Sequence, residues 1–340
     1  MATTPLLLPS IDLYGPGKRI GHLDLSWSDD RHAYGVIPVP IAVISGGSGP
    51  TALVTAGVHG DEYEGLVIAR RLIRELDPGQ MNGRLIVMPA ANLPAVRARS
   101  RISPIDRQNM NRAFPGDDGL GPTALIAHFI EKRLIPEMDL VLDLHSGGTQ
   151  SIYDPCGYVY EMGDAEFRAR KLAACHAFGA PLTAAVTTTS SSGSLSAACE
   201  RARVTMIATE LGGGAKLDLR ALEIGWRGTL NLLRHSGVLQ GIPEQTVTRL
   251  VRTPSRECFV MASIDGMFES YVSPGMIVEA GAPAGRIWPM DDLSREPVEA
   301  QFTVTGTVLC CRTMPMVTRG DTLCHVGTPL DDSEFVKEGA

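Results

Sequence analysis

Three apolar runs, each typical of a buried strand, end in residues that can bind a metal or move a proton. His59 and Glu62 occur in GVHGDEYEG, after the run TALVT. His145 ends the run VLDLH and Glu210 ends the run IATE, and glycines follow soon after both. Open α/β sheets bind ligands at the carboxyl ends of their strands, so we predict that these four side chains meet at one rim. Glycine permits the sharp turns that such a rim needs.

The set of His59, Glu62 and His145 is suited to zinc. A catalytic zinc ion keeps three protein ligands and leaves a fourth position for water. His59 and Glu62, three residues apart, can reach one ion from a turn into a helix, and His145 completes the set. Zinc lowers the pKa of its water, and Glu210 can take that proton and later donate it to a leaving amine. Asp143 shares a strand face with His145 and is a candidate acceptor for a ligand imidazole.

Each of these residues also has an ordinary structural interpretation. A histidine in a glycine-rich loop is often only hydrogen-bonded, and Glu62 alone would be a first-turn helix acid favoured by the helix dipole. Glu210 alone would fit a buried salt bridge. The convergence of three strand ends favours the metal site over these alternatives.

A second polar motif, RISPIDRQNMNRAFPG, spans residues 101–116. Arg112 can bind a carboxylate through two parallel hydrogen bonds, and Asn111 can donate and accept beside it. Arg101 or Arg107 can point at the oxygen that becomes negative when a carbonyl is attacked. The alternative is a solvated surface loop.

Strand and helix patterns alternate from residue 51 to residue 237. We predict strands over 51–57, 84–92, 139–145 and 204–211, and helices over 62–76, 123–136, 165–179 and 217–237. Asp61 is expected to cap the first helix. This alternation predicts a mainly parallel or mixed α/β sheet with helices on both faces. The first 45 residues are expected to add antiparallel strands.

Short strands separated by Gly and Pro turns fill the chain after residue 245. We therefore predict a catalytic domain over 1–244 and an all-β sandwich domain over 245–340. This tail resembles biotinyl and lipoyl carrier modules. Met314-Pro315-Met316 stands where such modules present a modified lysine, and proline cannot carry the cofactor. We interpret the module as a structural lid or an assembly surface.

Composition excludes several function classes. The 340 residues carry a net charge of −7, without a basic run that would favour nucleic acid or a membrane surface. No apolar stretch approaches the ~20 residues that cross a bilayer, and we expect no secretion signal in MATTPLLLPSIDL, which has no basic n-region. The seven cysteines form no C-x-x-C pair. We expect a cytoplasmic protein with free thiols.

The motifs GVHGDEYEG, NMNRAFPG, DLHSGG and TELGGG, in this order, resemble the succinylglutamate desuccinylase/aspartoacylase family. The resemblance implies a zinc carboxypeptidase-like α/β core with a C-terminal β domain. It implies one zinc ion per chain, bound by His59, Glu62 and His145, with Glu210 as general base and acid. Members are often dimers or tetramers, so we expect a homo-oligomer.

The same resemblance implies that Asn111 and Arg112 bind a substrate carboxylate. The family's oxyanion-stabilising arginine precedes its Asn-Arg pair, and Arg101 matches that position better than Arg107. The implied reaction is hydrolysis of the amide of an N-acyl amino acid. The alternatives are a zinc carboxypeptidase on short peptides and a binding protein without catalysis; a general base at Glu210 argues against the latter.

Within the family the chain is most similar to deacetylases of ectoine breakdown that act on Nα-acetyl-L-2,4-diaminobutanoate. DDRHAYGVIPVPI and SPIDRQNMNRAFPGD carry this likeness. Four acids lie near the motifs: Asp61, Glu64, Asp117 and Asp118. They would favour a substrate with an ammonium group in its side chain, or they are only loop and capping groups. Activity on another N-acyl amino acid is the alternative.

Overall fold

A computed structural model describes residues 7–29, 32–117, 119–186 and 192–337. The strands are β1 (Leu7–Pro9), β2 (Gly17–Asp29), β3 (His32–Ser45), β4 (Thr51–Ala56), β5 (Arg84–Met88), β6 (Leu140–His145), β7 (Ser151–Tyr153), β8 (Cys156–Tyr160), β9 (Leu182–Val186), β10 (Thr205–Glu210), β11 (Arg249–Thr253), β12 (Phe259–Met261), β13 (Gly266–Ser270), β14 (Ile277–Val278), β15 (Pro283–Trp288), β16 (Val298–Gln301), β17 (Gly306–Arg312), β18 (Met316–Val317) and β19 (Thr322–Pro329). The α-helices are α1 (Glu64–Glu75), α2 (Leu93–Ala98), α3 (Pro122–Phe129), α4 (Ala165–Phe178), α5 (Leu195–Ala202), α6 (Leu219–His235) and α7 (Asp332–Val336). Among these helices none is long and apolar enough to cross a membrane.

One large mixed sheet forms the centre of the molecule. Its order is β1-β2-β3-β5-β4-β6-β10-β8-β9-β11-β19-β17-β14. The pairs β5–β4, β4–β6 and β6–β10 are parallel, so their carboxyl ends lie at the same edge. The N-terminal strands β1, β2 and β3 pair antiparallel at one side. The predicted α/β class and the antiparallel N-terminal strands are confirmed.

Helices cover both faces of the sheet, because alternate residues of its buried strands point to opposite sides. On one face Val54 packs with Ile68 of α1 and Ile224 of α6. On the other face Leu53 packs with Ile126 of α3 and a cluster that includes α5. The central strands are buried on both sides, as expected for parallel strands between helices.

Nearly all the regular elements that the structure describes after residue 245 are β-strands, as predicted. A four-stranded sheet of β16, β15, β13 and β18 packs on β12, β14, β17 and β19 around a separate apolar core. β11 pairs with β9 and β19, so the main sheet continues into this region. The exceptions are α7 and one 3₁₀ turn. The domain boundary at residue 245 stays a prediction.

Several element predictions need correction. The first helix begins at Glu64 rather than at residue 62, and Asp61 does not cap it. The Asp61 side chain instead accepts a hydrogen bond from Thr149 N at 2.9 Å. The helix predicted over 123–136 is α-helical only as far as Phe129. A π turn and a 3₁₀ turn follow it. β7, β8, β9, α2 and α5 were not predicted, because segments this short carry weak periodicity.

The turn that presents His59 is held by close backbone contacts at Gly60. Gly60 N donates to Ser100 O at 2.9 Å. A Cβ atom on Gly60 would lie 2.0 Å from the carbonyl carbon and oxygen of Ala95, in α2. Only glycine fits there. The turn cannot shift without also moving His59 and Glu62, which could bind a metal.

We predict that Gly60→Ala loses about 3 kcal/mol of unfolding free energy, since a backbone clash cannot be relieved by a side-chain rotamer. The matched control is Gly79→Ala, because a Cβ atom on Gly79 meets nothing within 4 Å. The control should change stability by less than about 1 kcal/mol. Urea unfolding of metal-free protein measures both. Equal losses would contradict the packing account.

Candidate metal centre and active site

The four predicted side chains lie together where three strands end. Gly57, with φ of +66°, turns the chain after β4 and leads to His59 and Glu62. His145 is the last residue of β6 and Glu210 the last of β10, and the two are paired in the parallel register. The common strand direction therefore brings residues from distant parts of the sequence to one rim.

Glu62 lies between two histidines. Its Oε1 is 2.6 Å from His59 Nδ1, and its Oε2 is 2.8 Å from His145 Nδ1. All three residues are buried, with exposed fractions of 3%, 3% and 6% for His59, Glu62 and His145. One ligand atom from each lies within 4.8 Å of the others. Two imidazole nitrogens and a carboxylate oxygen at this spacing fit the donor set of a catalytic zinc ion.

Electrostatics favour a charged carboxylate at Glu62. Burial alone would raise the pKa of Glu62, but the adjacent His145 and His59 rings lower it far below its ordinary value. Burial would lower the pKa of His145, and the carboxylates of Asp143 and Glu62 raise it well above the ordinary value instead. The cluster thus holds negative charge that a cation can neutralise.

Each histidine is oriented through its second ring nitrogen. His145 Nε2 lies 2.8 Å from Asp143 Oδ2, and Asp143 Oδ1 accepts from Thr55 Oγ1 at 2.7 Å. His59 Nε2 lies 3.0 Å from Asn109 Oδ1. Such contacts fix the orientation of each ring, with Nδ1 directed toward Glu62.

Asn109 was missed by sequence reasoning. Its Oδ1 also accepts a hydrogen bond from Asn111 N at 2.9 Å, so one amide oxygen links His59 to the segment 101–116. Only its position two residues before Asn111 could have pointed to it. Its approach to His59 depends on how that segment folds back over the rim.

Glu210 lies beside the cluster, but it does not belong to the set of His59, Glu62 and His145 that could bind a metal ion. Its Oε2 is buried and has no hydrogen-bond partner among the described residues. Burial raises the pKa of Glu210 well above its ordinary value, and the negative charge of Glu62 raises it further. A raised pKa keeps the proton on a carboxyl group to higher pH, which suits a general base that later acts as an acid.

The two candidate arginines differ in position. Arg101 Nη1 lies 3.3 Å from Glu62 Oε1, and about half of its side chain is exposed. Arg107 lies in a turn with φ of +52°, where its backbone N donates to Ser103 O. The structure thus brings Arg101, and not Arg107, into contact with the histidine–glutamate cluster.

Asn111 and Arg112 belong to a 3₁₀ turn, Met110–Arg112. Asn111 Oδ1 accepts from Leu195 N at 3.0 Å, at the first residue of α5, which leaves its amide NH₂ to donate elsewhere. Arg112 Nη1 donates to Asn111 O at 2.6 Å, and the side chain is exposed. The backbone of Gly193 packs against this turn, since a Cβ atom there would lie 2.5 Å from Arg112 O.

The acids near the motifs hold the backbone rather than line an open pocket. Asp61 is buried and bound to Thr149 N, as described above. Glu64 is fully buried and accepts from Asp218 N at 2.9 Å. Asp117 accepts from Gly119 N in a local turn, and Asp118 lies outside the described residues. Each of the three acids that the structure describes therefore accepts a hydrogen bond from a backbone N–H group.

Strand β17 and Thr313 hold in place the loop that follows His145. β17 pairs with β7, with Cys311 opposite Ile152. Thr313 N donates to Gln150 O at 3.0 Å, and Thr313 Oγ1 donates to Thr149 O at 2.5 Å. The residues after β6 are thereby held by strands from both parts of the chain. Residues 187–191, in the polar stretch TTTSSSGSLS whose composition is typical of a loop, lie outside the described residues, and Leu195 begins α5.

Several named proteins resemble this chain in sequence or structure over nearly its whole length. An N-alpha-acetyl-L-2,4-diaminobutyric acid deacetylase of Halomonas elongata is 36% identical over 325 residues, 95% of each chain. The product-bound ectoine utilization protein EutE (DoeB) of Ruegeria pomeroyi is 36% identical, with a TM-score of 0.92, and 96% of this chain and 100% of that one are covered. A succinylglutamate desuccinylase/aspartoacylase structure from Rhodobacter sphaeroides has 34% identity, a TM-score of 0.92 and coverage of 96% and 99%.

Residues 48–236 match the succinylglutamate desuccinylase/aspartoacylase catalytic domain. The matched range contains every strand end, histidine and arginine of the site described above. The resemblance expected from the four sequence motifs is confirmed. The chain belongs to the succinylglutamate desuccinylase/aspartoacylase family.

Proposed function

We propose that this protein is a zinc-dependent deacylase that hydrolyses Nα-acetyl-L-2,4-diaminobutanoate to 2,4-diaminobutanoate and acetate. The observation that carries the chemistry is the buried group of two imidazoles and one carboxylate beside Glu210. The substrate rests on the relative from Halomonas elongata, whose name states this deacetylation.

His59, Glu62 and His145 would hold one zinc ion per chain, with Asp143 and Asn109 orienting the two rings. When bound, zinc supplies a Lewis acid that polarises a carbonyl oxygen and lowers the pKa of water. Glu210 takes the proton of the attacking water and delivers it to the amine nitrogen that leaves. Its buried, unpartnered oxygen and its raised pKa support this double role.

Arg101 stabilises the oxygen that becomes negative during attack. Its guanidinium lies 3.3 Å from Glu62 and stays about half exposed, so it can turn toward a substrate carbonyl. A preorganised charged donor at such an oxygen is worth about 3 kcal/mol in the barrier. The position of Arg107 supplies no comparable contact.

Asn111 and Arg112 bind the α-carboxylate of the amino acid. The exposed guanidinium of Arg112 and the free NH₂ of Asn111 are donors suited to one carboxylate. Gly193 and Leu195, which contact this turn, add no cation. Arg201, in α5, is bound to Glu131. This favours an acyl-amino acid with one carboxylate over acetyl-aspartate or succinyl-glutamate, which carry more.

Assembly as a homo-oligomer, a dimer or tetramer, and a cytoplasmic location are part of the same proposal. All seven cysteines are buried free thiols, which suits a reducing compartment. The C-terminal strands would act as a structural lid or an assembly surface.

A pair of variants separates the metal ligands from the general base. Glu210→Gln keeps the shape of the side chain and removes the base, so zinc content should persist while kcat falls by ~10²–10⁴. His145→Ala should lose most of the zinc, because two ligands hold the ion poorly. Metal analysis and steady-state kinetics measure both. Loss of zinc from Glu210→Gln would make Glu210 a ligand, and normal turnover would remove it from the mechanism.

A substrate panel tests the amino acid. We predict kcat/KM for Nα-acetyl-L-2,4-diaminobutanoate at least ~10-fold above that for N-acetyl-aspartate, or about 1.4 kcal/mol in the transition state. Preference for N-acetyl-aspartate or N-succinyl-glutamate would overturn the substrate and leave the deacylase intact. Cleavage of dipeptides in preference to acyl-amino acids would indicate a carboxypeptidase, and no turnover of either class a binding protein.

A further inference from the structure

A cavity of about 420 Å³ lies away from the metal site, between β1, the segment that follows it, and α3. Its size falls in the range of small-molecule sites, which begin near ~300 Å³. The walls are mostly apolar and include Leu8, Leu13, Leu125 and Phe129. Neither the proposed reaction nor the substrate-binding segment uses these residues.

The acids near this cavity have hydrogen-bond partners, whereas two nitrogen-bearing side chains in its lining have none within the described ranges. Asp12, in the lining, accepts from Tyr14 N and Gly15 N, and Glu137, outside the lining, accepts from Tyr14 Oη and from Arg84 Nη2, each at 2.8–3.0 Å. The acids are therefore already paired. Two nitrogen-bearing groups of the lining are not.

Arg133 lines the cavity and has no hydrogen bond or ion pair within the part of the chain that the structure describes. His128 lines it too, and its ring makes no hydrogen bond among the described residues; Nδ1 is shielded from solvent, so Nε2 is the nitrogen that can donate. A guanidinium always donates, and an imidazole nitrogen donates in one tautomer or when protonated. The lining thus offers apolar walls and two free donors, one of them a fixed cation.

We infer that this cavity binds a monocarboxylate that carries an apolar chain. The carboxylate meets Arg133 and His128, and the chain lies against the leucines and Phe129. Burial of each methylene contributes ~0.8 kcal/mol, which corresponds to about four-fold in affinity. A second copy of the chain is the competing occupant, because Leu8 is 46% exposed.

Straight-chain carboxylates test the inference on the zinc-loaded, full-length protein by calorimetry. Affinity should rise by about four-fold for each methylene from butanoate through hexanoate to octanoate. Neutral 1-octanol should bind at least ~10-fold more weakly than octanoate, because it lacks the charge-assisted hydrogen bond.

Variants locate the binding. Arg133→Gln should weaken octanoate by at least ~10-fold. The control Arg70→Gln removes the same charge from an exposed position outside the cavity and should change affinity by less than ~2-fold. Leu125→Trp should fill the cavity and abolish binding while the protein stays folded, as checked by circular dichroism.

Three outcomes would overturn the inference. The first is that octanoate does not bind at a concentration of ~10 mM, which is about 100-fold above an expected Kd of ~0.1 mM. That result would show that the cavity has no carboxylate site. Octanoate binding unchanged by Arg133→Gln would place the ligand elsewhere, for example at the metal site. An oligomer in sedimentation that dissociates in Leu125→Trp, with no octanoate binding, would make the groove an interface between copies.

Discussion

The carboxylate of Glu62 is the interaction on which the site depends. It lies between two buried imidazoles, at 2.6 and 2.8 Å, and also accepts from Ser146 N at 3.2 Å. A buried carboxylate is costly unless it is paired, so the two histidines and any bound cation must stay in place. The strand ends, the glycine turns and the oxygen partners of both rings all serve to hold this arrangement.

The sheet makes this arrangement possible because parallel strands end at one edge. β4, β6 and β10 are neighbours in the order β4-β6-β10, although about 90 and 65 residues separate them in sequence. The register that sets Glu210 opposite His145 also sets the general base next to the metal ligands. The second motif then reaches the rim through Asn109, whose amide oxygen contacts both His59 and the Asn111 turn.

Local pattern was enough to predict the parts of the site that lie on strand ends. His59, His145 and Glu210 each follow a run of apolar residues, and that run alone predicts a buried strand and its end. The roles of Asp61, Glu64 and Asn109 could not be predicted this way. Their partners are Thr149, Asp218 and His59, and those contacts exist only after distant segments pack together. The same holds for α5, whose first residue is fixed by Asn111.

X-ray absorption at the zinc edge of the loaded protein tests the central claim most directly. We predict nitrogen and oxygen scatterers at ~2.0–2.1 Å, with the outer-shell signal of two imidazoles and no sulfur. The seven cysteines are free thiols and offer the main competing ligands. A sulfur shell at ~2.3 Å would place the zinc on cysteine and contradict the assignment of His59, Glu62 and His145.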